Sequence, residues 1–231
     1  MRVAALCSGG KDSTYALWLA MQQRHKIECA VAMIPRREDS WMFHRSNIQL
    51  IDLFAKCAGL PLIKAETSGE KEKELEDLKL VLQKLDIEGV VSGAIASKYQ
   101  RSRIDRICDE LGLASIAPLW GREPVELLRE MIDSSFEIII TSASAQGFDE
   151  SWLGRKLDEE TLRDLVELNR KYKVNVSGEG GEYESLVLDA PFFRKRIEVL
   201  EAERIWRGDS GYLLIRKAVL KDKSGLSKSR G

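Results

Sequence analysis

Residues 8–13 read Ser8-Gly9-Gly10-Lys11-Asp12-Ser13, directly after an apolar run at 3–7 and directly before a helical-looking segment at 14–24. Gly9 and Gly10 can take positive φ angles and leave no Cβ in the way, so backbone N–H groups are free to close around phosphate oxygens. A helix start adds partial positive charge at the same point. Ser8 and Ser13 offer hydroxyls, Lys11 a point charge, and Asp12 a carboxylate able to hold Mg²⁺, an ion that takes few protein oxygens beside phosphates. The chemistry indicated is the binding of a nucleotide's pyrophosphate. The spacing is not that of a G-x-x-x-x-G-K-[ST] loop, which the sequence lacks.

Two further groups carry chemical potential. Ile104, Ile107, Cys108 and Leu111 form an apolar stripe on a helix at 98–111, and its first turn presents Ser97, Tyr99, Gln100 and Arg101, flanked by Arg103 and Arg106. Residues 178–185, Gly178-Glu179-Gly180-Gly181-Glu182-Tyr183-Glu184-Ser185, mix three carboxylates with three glycines. Clustered carboxylates repel one another unless a metal or a cationic substrate lies among them. Between the 8–13 turn and the 98–111 helix, an aromatic loop at 39–45 carries Trp41 and His44, and His44 is a candidate substrate contact. Each pattern also has an ordinary structural reading: a strand-to-helix turn, a charged surface helix, an acidic turn.

These groups need a scaffold. Apolar β-rich runs at 3–7, 28–34, 61–65, 89–92 and 114–117 alternate with helical patterns at 13–24, 46–58, 70–84, 98–111 and 124–134. The alternation predicts an α/β fold, a parallel sheet with helices on both faces. Ligands bind such sheets at the strands' carboxyl ends, near the switch point, where both the 8–13 turn and the start of the 98–111 helix would lie. The end of the second strand, Ala32 to Ile34 with Met33 at its centre, is the candidate adenine contact. The rhythm changes near residue 118. A strand at 136–141, a helix at 158–171, a strand at 186–189 and a hairpin of 196–206 with 211–220 predict a smaller C-terminal α+β domain. The expected division is 1–117, 118–223 and a flexible tail at 224–231.

The chain has 231 residues, 44% of them hydrophobic, enough for one large domain or two small ones with cores of their own. It has no run of about 18 apolar residues and no secretory leader pattern, so no membrane partner is expected and the cytoplasm is the default address. Cys7, Cys29, Cys57 and Cys108 form no C-x-x-C pair and read as core thiols. A net charge of −1 gives no global pull toward nucleic acid, which is not an expected partner.

SGGKDS at 8–13 resembles the PP-loop of the N-type ATP pyrophosphatases. Taken in order with DSWMFH at 39–44, GAIASKYQRSR at 93–103 and GEGGEYESLVLDAP at 178–191, it makes the chain resemble the diphthine–ammonia ligase family over residues 1–220. The departures are Trp41 where tyrosine is expected and Ser185 where threonine is expected. The resemblance implies a PP-loop, HUP-like domain of Rossmann-type layering. It also implies the last step of diphthamide synthesis on translation elongation factor 2, in which ATP adenylates the diphthine carboxylate and ammonium displaces AMP, pyrophosphate having left. On that footing Ser8, Gly9, Gly10, Lys11 and Ser13 hold pyrophosphate, Asp12 holds Mg²⁺, and Gln100 and Arg101 serve the phosphates or the carboxylate. Glu179, Glu182, Glu184 and Tyr183, with Trp41, would receive the trimethylammonium group or the ammonium. Lys11, Asp12, Arg101 and Glu182 are the catalytic candidates, and His44, Tyr99 and Arg103 further substrate contacts. No glutaminase domain is visible, so free ammonium is the expected nitrogen source, and a homo-oligomer is compatible with the chain. Two other classes stay open: a PP-loop enzyme adenylating another acceptor such as a tRNA base, and a nucleotide-binding module without catalysis.

Overall fold

The computed structural model describes residues 1–35, 48–67 and 71–223. The aromatic loop with Trp41 and His44, and the tail at 224–231, lie outside the described residues. Strands β1 (Arg2–Leu6), β2 (Lys26–Pro35), β3 (Leu62–Thr67), β4 (Gly89–Val91) and β5 (Ala114–Ile116) form a wholly parallel sheet in the order β3-β2-β1-β4-β5. Successive side chains of a strand face opposite sides, and here both sides are dry. Val3, Ala5, Ala30 and Ala32 pack beneath Tyr15 and Leu17 of α1 (Lys11–Gln22) and Phe54 of α2 (Ile48–Ala58). Ala4, Cys29, Val31 and Val90 pack beneath Leu78 and Leu82 of α3 (Lys71–Leu82) and Ile107 and Cys108 of α4 (Lys98–Leu111). The alternation of strands and helices read from the sequence is thus realised, with helices on both faces.

After α5 (Pro124–Asp133) the chain builds a second sheet, antiparallel and in the order β7-β6-β9-β8, from β6 (Glu137–Ala143), β7 (Tyr183–Asp189), β8 (Lys195–Arg207) and β9 (Ser210–Asp222). Helix α6 (Glu159–Tyr172) lies between β6 and β7 in sequence. Three boundaries differ from expectation. β7 starts at Tyr183 rather than 186, because Tyr183 and Glu184 pair with Ala143 and Ser142 of β6. The β8–β9 ladder closes to Arg207 opposite Ser210, leaving Gly208 (φ +62°) and Asp209 as the turn. β9 runs past the expected 220: Asp222 pairs with Lys195, and Lys223 Nζ reaches Asp189 at 2.8 Å and the Ala190 carbonyl at 2.9 Å.

The two halves share one apolar core. Helix α1 packs on β1, β2 and β4 on one side and β7 on the other, and α2 touches β2, β8 and β9. Rings knit the seam: Phe54 meets Phe193 edge-on at 5.5 Å, and Phe136 meets Tyr15 at 5.3 Å. Because Phe54 is fully buried, Phe54→Ala should cost about 3–5 kcal/mol. Urea denaturation followed by circular dichroism and tryptophan fluorescence should show one coincident transition moved to lower denaturant. Two separated transitions would contradict a shared core.

Candidate active site

Strand order reverses between β1 and β4, so the loops after these two strands lie side by side at the sheet's carboxyl edge. Helix α1 begins at Lys11, earlier than its apolar pattern suggests, and Lys11 and Asp12 therefore occupy its first turn. Gly9 takes φ +81°, a conformation that disfavours any side chain. Gly10 does not: it is the extended N-cap, with φ −76° and ψ 166°. Its constraint is room, since a Cβ there would lie 3.3 Å from both the Ser185 carbonyl oxygen and Ser8 Oγ. Ser8 N–H donates to Ser13 Oγ at 3.2 Å, and Ser13 Oγ and Thr14 Oγ1 donate to the Gly10 carbonyl at 3.2 and 2.8 Å. From the neighbouring loop, Gly93 approaches so closely that a Cβ would stand 2.7 Å from Ser13 N.

The C-terminal half closes over this turn. Val187 N–H of β7 donates to the Gly9 carbonyl at 3.0 Å, and Ser185 Oγ accepts from Lys11 N–H at 3.1 Å. Lys11 is only 3% exposed. Its ammonium donates to both oxygens of Asp12, at 3.0 and 2.8 Å, and to the Ser177 carbonyl, and it lies 5.2 Å from the centroid of the Tyr183 ring. Burial raises the Asp12 pKa, the adjacent Lys11 lowers it, and the charge of Glu179 raises it further. Tyr183 is buried, its hydroxyl donates to the Val176 carbonyl at 2.8 Å, and burial pushes its pKa well above the ordinary value. Gly178 (φ +72°) sits against that ring, where a Cβ would come within 2.7 Å.

The acidic loop differs from the open cation receptor expected of it. Glu179 Oε1 accepts from the N–H groups of Ile95, Ala96 and Ser97 at 2.9, 2.8 and 2.9 Å, and Oε2 accepts from Ala96 at 2.8 Å. Glu179 therefore meets the backbone amides of another loop. Tyr183 is likewise a buried wall, its ring face given to Lys11 and Gly178. Glu182 Oε1 accepts from Asn175 N–H at 3.0 Å, and its Oε2 is buried without a hydrogen-bond partner among the described residues. Glu184 lies on β7 beside Ser142, where burial raises its pKa and a hydrogen bond from Ser142 lowers it.

At the start of α4, Ser97 caps the helix by accepting from Gln100 N–H at 3.3 Å. The Gln100 side chain and Tyr99 are exposed. Arg103 stacks on Tyr99 at 4.1 Å, while Arg101 stacks on Trp120 at 4.5 Å and pairs with Asp105 at 3.4 Å. Met33 packs its side chain with the core on the α3–α4 side of the sheet. The structure thus brings Ser8, Gly9, Gly10, Lys11, Asp12 and Ser13 together with Glu179, Tyr183 and Ser185, and turns Arg101 toward Trp120. Sequence reasoning missed Asn175, Ser177 and Gly93 as parts of the site. Gly93 carried the one available signal, a glycine immediately after the β4 run.

Among the described residues no group of three or more His, Cys, Asp or Glu forms a metal cage. Asp12, the single carboxylate of the glycine turn, is the residue that could hold a Mg²⁺ carried on phosphate, and both of its oxygens here accept from the Lys11 ammonium. A parallel sheet of this order, with a Ser-Gly-Gly-Lys-Asp-Ser turn at its switch point, defines a nucleotide-binding α/β protein of the PP-loop class. Family models for the diphthamide synthase N-terminal and C-terminal domains match residues 1–115 and 123–221, and the chain belongs to that family. It is 41% identical over 228 residues to the diphthine–ammonia ligase of Rattus norvegicus, covering 89% of this chain and 85% of that one. The human diphthine–ammonia ligase is 39% identical over 226 residues, 88% of this chain and 84% of its own length. The Schizosaccharomyces pombe enzyme of the same name is 35% identical over 96% of this chain, which spans 40% of that longer protein.

Glu184 supplies a test of this packing that needs no substrate. Its raised pKa means that the folded chain holds the proton to a higher pH than the unfolded chain. Stability therefore falls as pH rises through the window from the ordinary glutamate value up to the raised one. Glu184→Gln should make the protein more stable than the parent at neutral pH and equal to it below about pH 4. Urea titrations at the two pH values measure this, and a variant less stable at neutral pH would contradict the assignment.

Proposed function

We propose that this chain is a diphthine–ammonia ligase, converting the diphthine of translation elongation factor 2 to diphthamide with ATP and ammonium in the cytoplasm. The observation that carries this reading is the seating of the 8–13 turn against β7 and the 177–182 loop, through Val187 N–H on the Gly9 carbonyl and the Lys11 ammonium on the Ser177 carbonyl. Ammonia cannot displace oxide from a carboxylate. A carboxylate oxygen of diphthine attacks the α-phosphorus of ATP, the bond to the β-phosphate oxygen breaks, and pyrophosphate leaves. Ammonia then forms the C–N bond, AMP departs with the former carboxylate oxygen, and one proton is released.

Ser8, Gly9, Gly10 and Ser13 hold the pyrophosphate, and Lys11 supplies charge where the leaving group gains it. Mg²⁺, when bound through Asp12, offsets the same negative charge. Gln100 and Arg101, at the start of α4, serve the phosphates or the carboxylate. Glu182 and Glu184 provide the acidic side on which the trimethylammonium group or the ammonium settles, with Tyr99, Arg103 and His44 as further substrate contacts and Met33 beside adenine. A PP-loop enzyme that thiolates a tRNA base is the alternative, and the cysteines argue against it. All four are free and buried, and burial pushes Cys7 up to about 12 and Cys57 and Cys108 up to about 11. Thiols so far from ionisation are poor nucleophiles.

Lys11→Ala should lower turnover by roughly 10²–10³, the effect of losing one preorganised donor to a developing charge. The assay is release of AMP and pyrophosphate from ATP in the presence of ammonium and diphthine-bearing elongation factor 2. A fall smaller than about threefold would contradict the role of Lys11, and AMP release dependent on tRNA would favour the alternative.

A further inference from the structure

Three loops meet at the site and are joined in a closed ring. The 8–13 turn is tied to the 177–182 loop by the bond from the Lys11 ammonium to the Ser177 carbonyl. The 177–182 loop is tied to the loop before α4 by the Glu179 carboxylate on the amides of Ile95, Ala96 and Ser97. That loop returns to the first turn of α1 through the backbone contact of Gly93 with Asp12 and Ser13. The 177–182 segment between the joints is itself stiff. Ser177 N–H donates to Asn175 Oδ1 at 2.9 Å, Gly178 N–H to the Asn175 carbonyl at 2.9 Å, and Gly181 N–H to the Gly178 carbonyl at 3.0 Å. Ser144 N–H further holds the Glu182 carbonyl at 2.9 Å.

Within that ring Glu179 is the strongest joint. Hydrogen bonds to a charged acceptor are roughly twice as strong as neutral ones. Glu179 gathers three consecutive donors at the N-terminal end of α4, where the helix dipole also favours negative charge. These partners lie 82 to 84 residues away in sequence and in the other half of the fold. Ser177, only two residues before Glu179, presents the carbonyl that aims the Lys11 ammonium.

We propose that Glu179 is a positioning residue for the ligase reaction, which clasps the 177–182 loop to the start of α4 and thereby holds the Ser177 carbonyl that orients Lys11. The proposal rests on the ligase reading for its kinetic consequence but not for the clasp itself. Removing the carboxylate frees the 177–182 loop from its distant anchor while the glycine turn keeps its own hydrogen bonds. The loss therefore falls on turnover rather than on nucleotide affinity. Near-attack geometry is sensitive at this level, since displacement by about 1 Å can cost about 10²-fold.

The test combines kinetics with hydrogen exchange. Glu179→Ala should lower kcat by about tenfold or more while KM for ATP moves by less than about threefold. Glu179→Gln, which keeps an acceptor oxygen for the same amides, should recover part of the lost rate and serves if the alanine variant does not fold. In a Lys11→Ala background the Glu179→Ala change should cost less than about threefold further, because the group it positions is gone. Equal losses in both backgrounds, or parental turnover in Glu179→Ala, would overturn the proposal. Hydrogen exchange reads the clasp without any reaction: the amides of Ile95, Ala96 and Ser97 should exchange faster in either variant while those of β1 keep their protection. Unchanged exchange at these three amides overturns the proposal. A parent chain that shows the protection but no ligase turnover refutes the ligase reading and the kinetic role, and leaves the clasp standing.

Discussion

The ammonium of Lys11 is a full charge placed almost out of reach of water. Such a group is costly to bury unless its donors are satisfied by partners of suitable charge and geometry. Asp12, its neighbour in the chain, supplies the charge, while the Ser177 carbonyl and the face of Tyr183 come from the other half of the protein. Neither half alone offers a dry, satisfied position for this side chain. The packing of the parallel sheet against the antiparallel one is thereby tied to the chemistry of the turn.

The same seam resolves a problem of sheet edges. β7 borders the antiparallel sheet, and an uncovered edge strand presents free N–H and C=O groups that invite unwanted pairing. Here part of that edge is spent on the glycine turn, through Val187 N–H to the Gly9 carbonyl and Lys11 N–H to Ser185 Oγ. The extended Gly10 is what allows the approach, since a side chain there would press on the Ser185 carbonyl. Ser185, which departs from the threonine expected by resemblance, keeps the hydroxyl that this contact uses.

The scaffold was legible in sequence because its signals are local. Apolar runs and helical stripes located every strand of the parallel sheet and the 98–111 helix, and the glycine turn was readable from six adjacent residues. Contacts between halves were not legible, because they pair residues far apart in the chain. Glu179 looked like a cation receptor when viewed among its own neighbours, yet its carboxylate is claimed by amides of another loop. Tyr183 looked like an open aromatic face until antiparallel pairing drew it into β7 and beneath Lys11. Ser177 acts through its backbone carbonyl, which no residue type announces. Arg101 shows the same limit, for the helix pattern put it at the start of α4 while its stacking partner, Trp120, lies beyond the next strand.

In the proposed reaction the acceptor carboxylate attacks the α-phosphorus of ATP and pyrophosphate leaves from the glycine turn. Oxygen-18 in the diphthine carboxylate tests that bond change most directly, by mass spectrometry of the products of one turnover. AMP should carry one labelled oxygen and pyrophosphate none. Label in phosphate or pyrophosphate, or AMP released without label while the amide forms, would contradict it.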